Sequence, residues 1–202
     1  MRAYDVTIEN SMVTICGSLE RIDRTMEHES LRNMTATALM TALLCVLGPV
    51  MVPIGPVPIS LQVLCVFLCV AVLGMKRGTV AVVLYLLIGF AGLPVFAGFS
   101  GGPGAIFRPA GGFLVGFVPL ALLSGWTVDR YPHSVLAQFA GMFAGLVVLY
   151  VFGTTWLIWI TKLPLEKALR AAVYPFVALD SAKAAVAILF GRVLKKRLAL
   201  LR

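Results

Sequence analysis

Asp180 and Lys183 stand three residues apart in Pro175-Phe-Val-Ala-Leu-Asp-Ser-Ala-Lys-Ala-Ala-Val-Ala-Ile-Leu-Phe190, an apolar stretch long enough to enter a bilayer. A charge there is expensive and marks a functional position. At 3.6 residues per turn the two side chains share a helix face, where each neutralises the other and together they offer a donor and an acceptor to a small polar ligand. The structural alternative is a self-neutralising pair that joins two helices. No second carboxylate lies in the apolar segments, so a proton relay is not expected. No G-x-x-x-x-G-K-[ST] phosphate loop is present either, so any energy for transport has to come from a partner.

The chain around this pair is 202 residues long, 60% hydrophobic and 13% charged, with a mean hydropathy of +0.96. Soluble domains carry about 25% charged residues, so the chain reads as an all-α integral membrane protein. Residues 1–30 form a polar tail without the apolar core of a signal peptide, and residues 31–202 form a single membrane domain. Six apolar segments, near 32–52, 59–75, 78–97, 112–128, 134–160 and 171–194, predict six transmembrane helices. With alternate connections on opposite sides, twelve basic residues fall on one side and four on the other, which puts both termini in the cytoplasm. The basic residues punctuate apolar segments instead of lining a polar face, which argues against nucleic acid. Cys45, Cys65 and Cys69 fall inside apolar runs and read as small buried hydrophobes, and neither a metal site nor a disulfide is expected.

Between the third and fourth segments lies Gly98-Phe-Ser-Gly-Gly-Pro-Gly-Ala-Ile-Phe-Arg-Pro-Ala-Gly-Gly112. It is too glycine-rich for a helix and too apolar for an exposed loop. We expect it on the outward side, partly buried among the helices, with its N–H groups and Arg108 suited to an anion. Gly98-Phe-Ser100-Gly also matches the short pattern around the nucleophile of intramembrane serine proteases. Such an enzyme needs a nearby histidine, and the chain has only His28 in the tail and His133 on the opposite side. Small residues four apart, at Ala38/Ala42, Gly112/Gly116 and Gly141/Gly145, predict close helix packing, within the chain or against a partner.

Taken in order, Gly55-Pro-Val-Pro-Ile-Ser-Leu-Gln62, Leu73-Gly-Met-Lys-Arg-Gly78, Tyr85-Leu-Leu-Ile-Gly-Phe-Ala-Gly-Leu-Pro-Val-Phe-Ala97, Pro109-Ala-Gly-Gly-Phe113 and the Asp180/Lys183 pair resemble the biotin-specific substrate-binding subunits (S components) of energy-coupling-factor transporters. The resemblance spans about residues 38–197. It implies a six-helix protein of the cell (inner) membrane that is not an enzyme, needs no cofactor, and captures biotin from outside. Its partners would be a membrane coupling subunit and two ATPases. It further implies that Asp180 and Lys183 hold the ureido ring and that Gln62, Tyr85 and Phe96 line the site. The Pro-rich first outward loop would act as a lid, and the face of Ala38 and Ala42 would dock on the coupling subunit. Three positions depart from the family's pattern. Leu179 precedes the acidic residue where a glycine is common. Gly98 stands in the binding surface where a polar residue is common, so one ligand hydrogen bond is lost or supplied elsewhere. Arg108 replaces a small residue and is assigned to the valerate carboxylate. The alternatives are another vitamin carried by the same architecture and, more remotely, proteolysis through Ser100.

Overall fold

The structure, a computed structural model, describes residues 30–53 and 57–200. The expected polar tail up to residue 29, with Cys16 and His28, and the tip of the Pro-rich loop lie outside the described residues. A boundary between two units of the chain falls between Ala36 and Thr37. The described elements are α1 (Ser30–Leu47), β1 (Met51–Val52), β2 (Ile59–Ser60), α2 (Gln62–Phe90), a 3-10 turn (Pro103–Ala105), α3 (Gly111–Arg130), α4 (Val135–Thr161), α5 (Leu165–Ala172) and α6 (Tyr174–Leu200). Among the described residues, five helical stretches are long and apolar enough to cross a membrane: α1, α2, α3, α4, and α5 with α6. The protein is therefore an all-helical, multi-pass membrane protein.

The second and third apolar segments form a single assigned helix, α2, that is broken at Gly74 (φ 79°, ψ −172°). In a continuous helix Gln62 and Tyr85 would be about 34 Å apart, yet the Gln62 amide donates to the Tyr85 hydroxyl. Gly78 likewise lies so close to the first arm that a Cβ there would be 2.8 Å from the Val70 Cα. Gly74 thus reverses the chain into two antiparallel arms, 62–73 and 75–90. Lys76 and Arg77, expected in a separating loop, open the second arm instead. Asp129, at the end of α3, accepts the Met75 N–H at 2.8 Å, which places a carboxylate at the positive end of that arm's dipole.

α3 and α4 pack along their length through the two glycine pairs. A Cβ at Gly112 would lie 2.2 Å from the Trp156 Cβ, one at Gly116 2.9 Å from Leu149, one at Gly141 1.9 Å from the Thr127 hydroxyl, and one at Gly145 2.8 Å from Leu120. These spacings therefore serve contacts within the chain, where bare backbone lets two helices approach closely. The turn between them is closed by Gln138, whose Nε2 donates to the carbonyls of Tyr131 and Pro132, both at 3.0 Å. α1 meets the second arm of α2 through Thr41, whose hydroxyl reaches the carbonyls of Thr37 (2.9 Å) and Ala81 (3.3 Å).

Boundaries differ from expectation where local chemistry intervenes. α1 ends at Leu47, and the chain then forms an antiparallel ribbon in which Met51 pairs with Ser60 and Val52 with Ile59. α2 ends at Phe90, short of residue 97, and Phe96 bridges to Ser100. Most of the separator 162–170 is helical: α5 starts at Leu165, runs on to Ala172, and carries a Glu166–Arg170 ion pair at 2.7 Å on its exposed face.

Replacing Gly74 with Ala puts a side chain at positive φ and a Cβ 2.4 Å from the Asp129 Oδ1. Gly74→Ala should cost about 1–3 kcal/mol and lower the melting temperature of the detergent-solubilised protein by several degrees in a thermal-unfolding scan.

Candidate functional site

A cavity of about 220 Å³ opens at one end of the helices. The first arm of α2 brings Gln62 and Val63 to it, and the first turns of α3 bring Phe113, Leu114 and Phe117. α4 contributes Leu149 and Tyr150, and α6 contributes Phe176, Asp180 and Lys183. Met51, Val57, Pro58 and Ser60 of the ribbon, with Ser100, Ala105 and Arg108 of the glycine-rich segment, complete the wall. Its surface is mostly aromatic and aliphatic, with a few polar groups converging at the end formed by α6 and the ribbon.

Asp180 is only 2% exposed. Its Oδ1 accepts from the Lys183 Nζ at 2.8 Å and its Oδ2 from the Tyr150 hydroxyl at 2.8 Å. Lys183 also donates to the Ser60 carbonyl at 2.8 Å, which ties α6 to the ribbon. A buried charge pair persists only when its remaining hydrogen-bonding capacity is satisfied, and Tyr150 and the Ser60 carbonyl do that here. An ammonium has three protons, and two are engaged. The third, with the free lone pairs of the carboxylate, can meet a ligand that presents an acceptor beside a donor.

Gln62 is fixed from both sides. Its amide N–H meets the Tyr85 hydroxyl, and its Oε1 accepts from the Ser60 hydroxyl at 3.1 Å. Tyr85, expected in the lining, lies one layer behind it. It is fully buried, donates to the Val95 carbonyl at 3.0 Å, and meets the Phe96 ring edge-on with centroids 5.5 Å apart. Its hydroxyl is consumed by orienting Gln62, so it supports the wall without forming it. Phe96 does line the cavity and is 1% exposed.

The glycine-rich segment folds over the cavity and is pinned by Trp156, whose indole N–H donates to the Ile106 carbonyl at 2.9 Å. The N–H groups of Gly98, Ser100, Gly102, Ala105, Ile106, Phe107, Arg108 and Gly111 all donate to backbone carbonyls. An amide cradle for an anion is therefore largely spent, and the anion-binding capacity rests on the Arg108 side chain. Arg108 is exposed at the cavity edge and has no side-chain hydrogen bond or ion pair among the described residues. Gly98 is not in the lining. It turns the chain with φ 71° beside the Met51 methyl, and Ala97 and Ser100 reach the cavity in its place. The Ser100 hydroxyl donates to the Ala97 carbonyl at 2.9 Å, and His133 follows the far end of α3, about 30 Å along that helix. Among the described residues Ser100 thus has no histidine within reach. Among the described residues no cluster of three His, Cys, Asp or Glu side chains could hold a metal.

Tyr150 and the Ser60 carbonyl were not anticipated. A tyrosine in the middle of an apolar helix needs a partner for its hydroxyl, and that was the one signal available for Tyr150. Ala38 and Ala42 are remote from the cavity, on the exposed face of α1.

A cavity with apolar walls, one buried ion pair and one cation at its edge has the chemistry to take a small ligand with a polar head and an acidic tail. Residues 20–200 match the model of the BioY family, and the chain belongs to that family. It is 36% identical over 173 residues to the biotin transporter BioY2 of Lactococcus lactis subsp. cremoris, covering 86% of this chain and 95% of that protein. It is 39% identical over 166 residues to the biotin transporter BioY of Thermotoga maritima, covering 82% and 97%. Its fold matches the crystal structure of the S-component for biotin from an ECF-type ABC transporter with a TM-score of 0.78 and 28% identity, covering 84% of this chain and 93% of that one.

Removing only the cation leaves a buried carboxylate without its counter-charge. Lys183→Ala should cost roughly 3 kcal/mol, and adding Asp180→Asn should recover much of that loss, as read by thermal unfolding of the two variants.

Proposed function

We propose that the protein is the biotin-capturing subunit of an energy-coupling-factor transporter. It is a transport protein and not an enzyme, in keeping with its family. The observation that carries the reading is the Asp180–Lys183 pair at the inner wall of the cavity. A ureido ring presents N–H donors and a carbonyl acceptor side by side. Asp180 accepts from an N–H, Lys183 donates its free proton to the carbonyl, and the apolar walls take the sulfur ring. Arg108, at the cavity edge, meets the valerate carboxylate.

The two arms of α2 each cross the bilayer, which makes six crossings. The cavity end faces outward, and both termini lie on the cytoplasmic side of the inner membrane. The sequence supports this orientation through its basic residues, twelve against four. The ribbon closes over bound ligand as a lid. Energy comes from a coupling subunit and two ATPases, and α1 docks on the former through its exposed Ala38 and Ala42 face.

Calorimetry on the purified protein should give tight biotin binding that Lys183→Ala abolishes. No binding by well-folded wild type would overturn the ligand assignment and direct attention to another vitamin. Arg108→Ala should weaken biotin about 10- to 100-fold, while biotinamide, which lacks the carboxylate, should bind wild type and variant alike. Equal biotin affinity in the two proteins would remove Arg108 from the site. Tyr150→Phe keeps the ring but frees one carboxylate oxygen, and should raise the biotin dissociation constant about tenfold in the same titration.

A further inference from the structure

The polar side chains that line the cavity fall into two groups. Ser60, Gln62, Tyr150, Asp180 and Lys183 form one continuous hydrogen-bonded cluster. Tyr150 and Lys183 meet Asp180, Lys183 meets the Ser60 carbonyl, and the Ser60 hydroxyl meets Gln62. Ser100 and Arg108 belong to the glycine-rich segment. Every other lining side chain is hydrocarbon or, at Met51, a thioether, and the largest of them are Phe96, Phe113, Phe117, Leu149 and Phe176.

Side-chain donors are more restricted still. The Ser60 hydroxyl proton goes to Gln62, that of Tyr150 to Asp180, and that of Ser100 to the Ala97 carbonyl. The donors left for a ligand are the third ammonium proton of Lys183 and the second amide proton of Gln62, both in the cluster, and the Arg108 guanidinium at the cavity edge. No free side-chain donor stands in the apolar wall.

We propose that the site reads its ligand at two points only, a cyclic urea in the cluster and a carboxylate at Arg108, and reads the body between them by shape alone. Its ligand class is therefore apolar ureido acids with or without a thioether ring, and desthiobiotin, which keeps the urea and the acid tail but lacks the sulfur, is a second ligand. This class rests on the function proposed above. A thioether sulfur is a weak acceptor, and the wall holds no donor to use it. It contributes contact area and ring rigidity, and their loss costs affinity only modestly. Oxidation reverses the case, because a sulfone presses two acceptor oxygens against hydrocarbon that cannot answer them.

Biotin, desthiobiotin and biotin sulfone are titrated calorimetrically into the purified wild type, and the first two also into Arg108→Ala. Desthiobiotin should bind wild type within about 30-fold of biotin. Biotin sulfone should bind more than about 30-fold more weakly than biotin. Arg108→Ala should weaken biotin and desthiobiotin by the same factor of about 10- to 100-fold, since both present the same tail. A larger loss for desthiobiotin, or tighter binding of the sulfone, overturns reading by shape. Unequal factors in Arg108→Ala, or no effect on either ligand, overturn the two-point reading. Failure of biotin itself to bind wild type overturns the transport function together with this ligand class, whereas biotin bound and desthiobiotin excluded overturns the ligand class alone.

Discussion

A carboxylate with almost no access to water constrains everything around it. Asp180 cannot stay charged at membrane depth unless each of its oxygens is answered, and the fold answers with Lys183 from its own helix and Tyr150 from α4. Lys183 in turn needs a second acceptor and finds it in the Ser60 backbone, where ribbon pairing holds the carbonyl in place. Three chain segments far apart in sequence are therefore joined through one ion pair. Such a pair is a poor source of stability compared with well-packed apolar residues.

Around the pair, polar groups are oriented by others that never touch the cavity. Tyr85 spends its hydroxyl on Gln62 and the Val95 carbonyl, and Trp156 spends its indole N–H on Ile106. The site is thus assembled before a ligand arrives, which reduces the ordering cost of binding. Arg108 is the exception: its side chain stands exposed at the cavity edge without a partner among the described residues.

Much of this was legible in the residues. A charge pair inside an apolar stretch identifies itself, because hydrocarbon tolerates so few, and the family motifs point to the same surface. The positions that escaped are those whose role depends on tertiary neighbours. Tyr150 sits in the middle of an apolar helix like any buried aromatic, and only the approach of α6 gives its hydroxyl a task. Tyr85 carries the right chemistry for a lining residue, yet the fold of the two α2 arms interposes Gln62. Lys76 and Arg77 read as a loop because charges usually end a membrane segment, but the reversal occurs two residues earlier, at a glycine that alone tolerates the required backbone angle. The glycine-rich segment has the composition of an anion cradle, and its amides are used up by its own turns.

The glycine seats between α3 and α4 bear on how the protein moves. At four places along these helices the backbone of one is pressed so close to the other that even a methyl group would collide. Sliding one past the other would drag side chains across spaces that do not exist, so the two helices form a single rigid plank. Any rearrangement that loads or empties the cavity has to be carried by what is fastened to that plank: the ribbon, the glycine-rich segment, and the neighbouring helices.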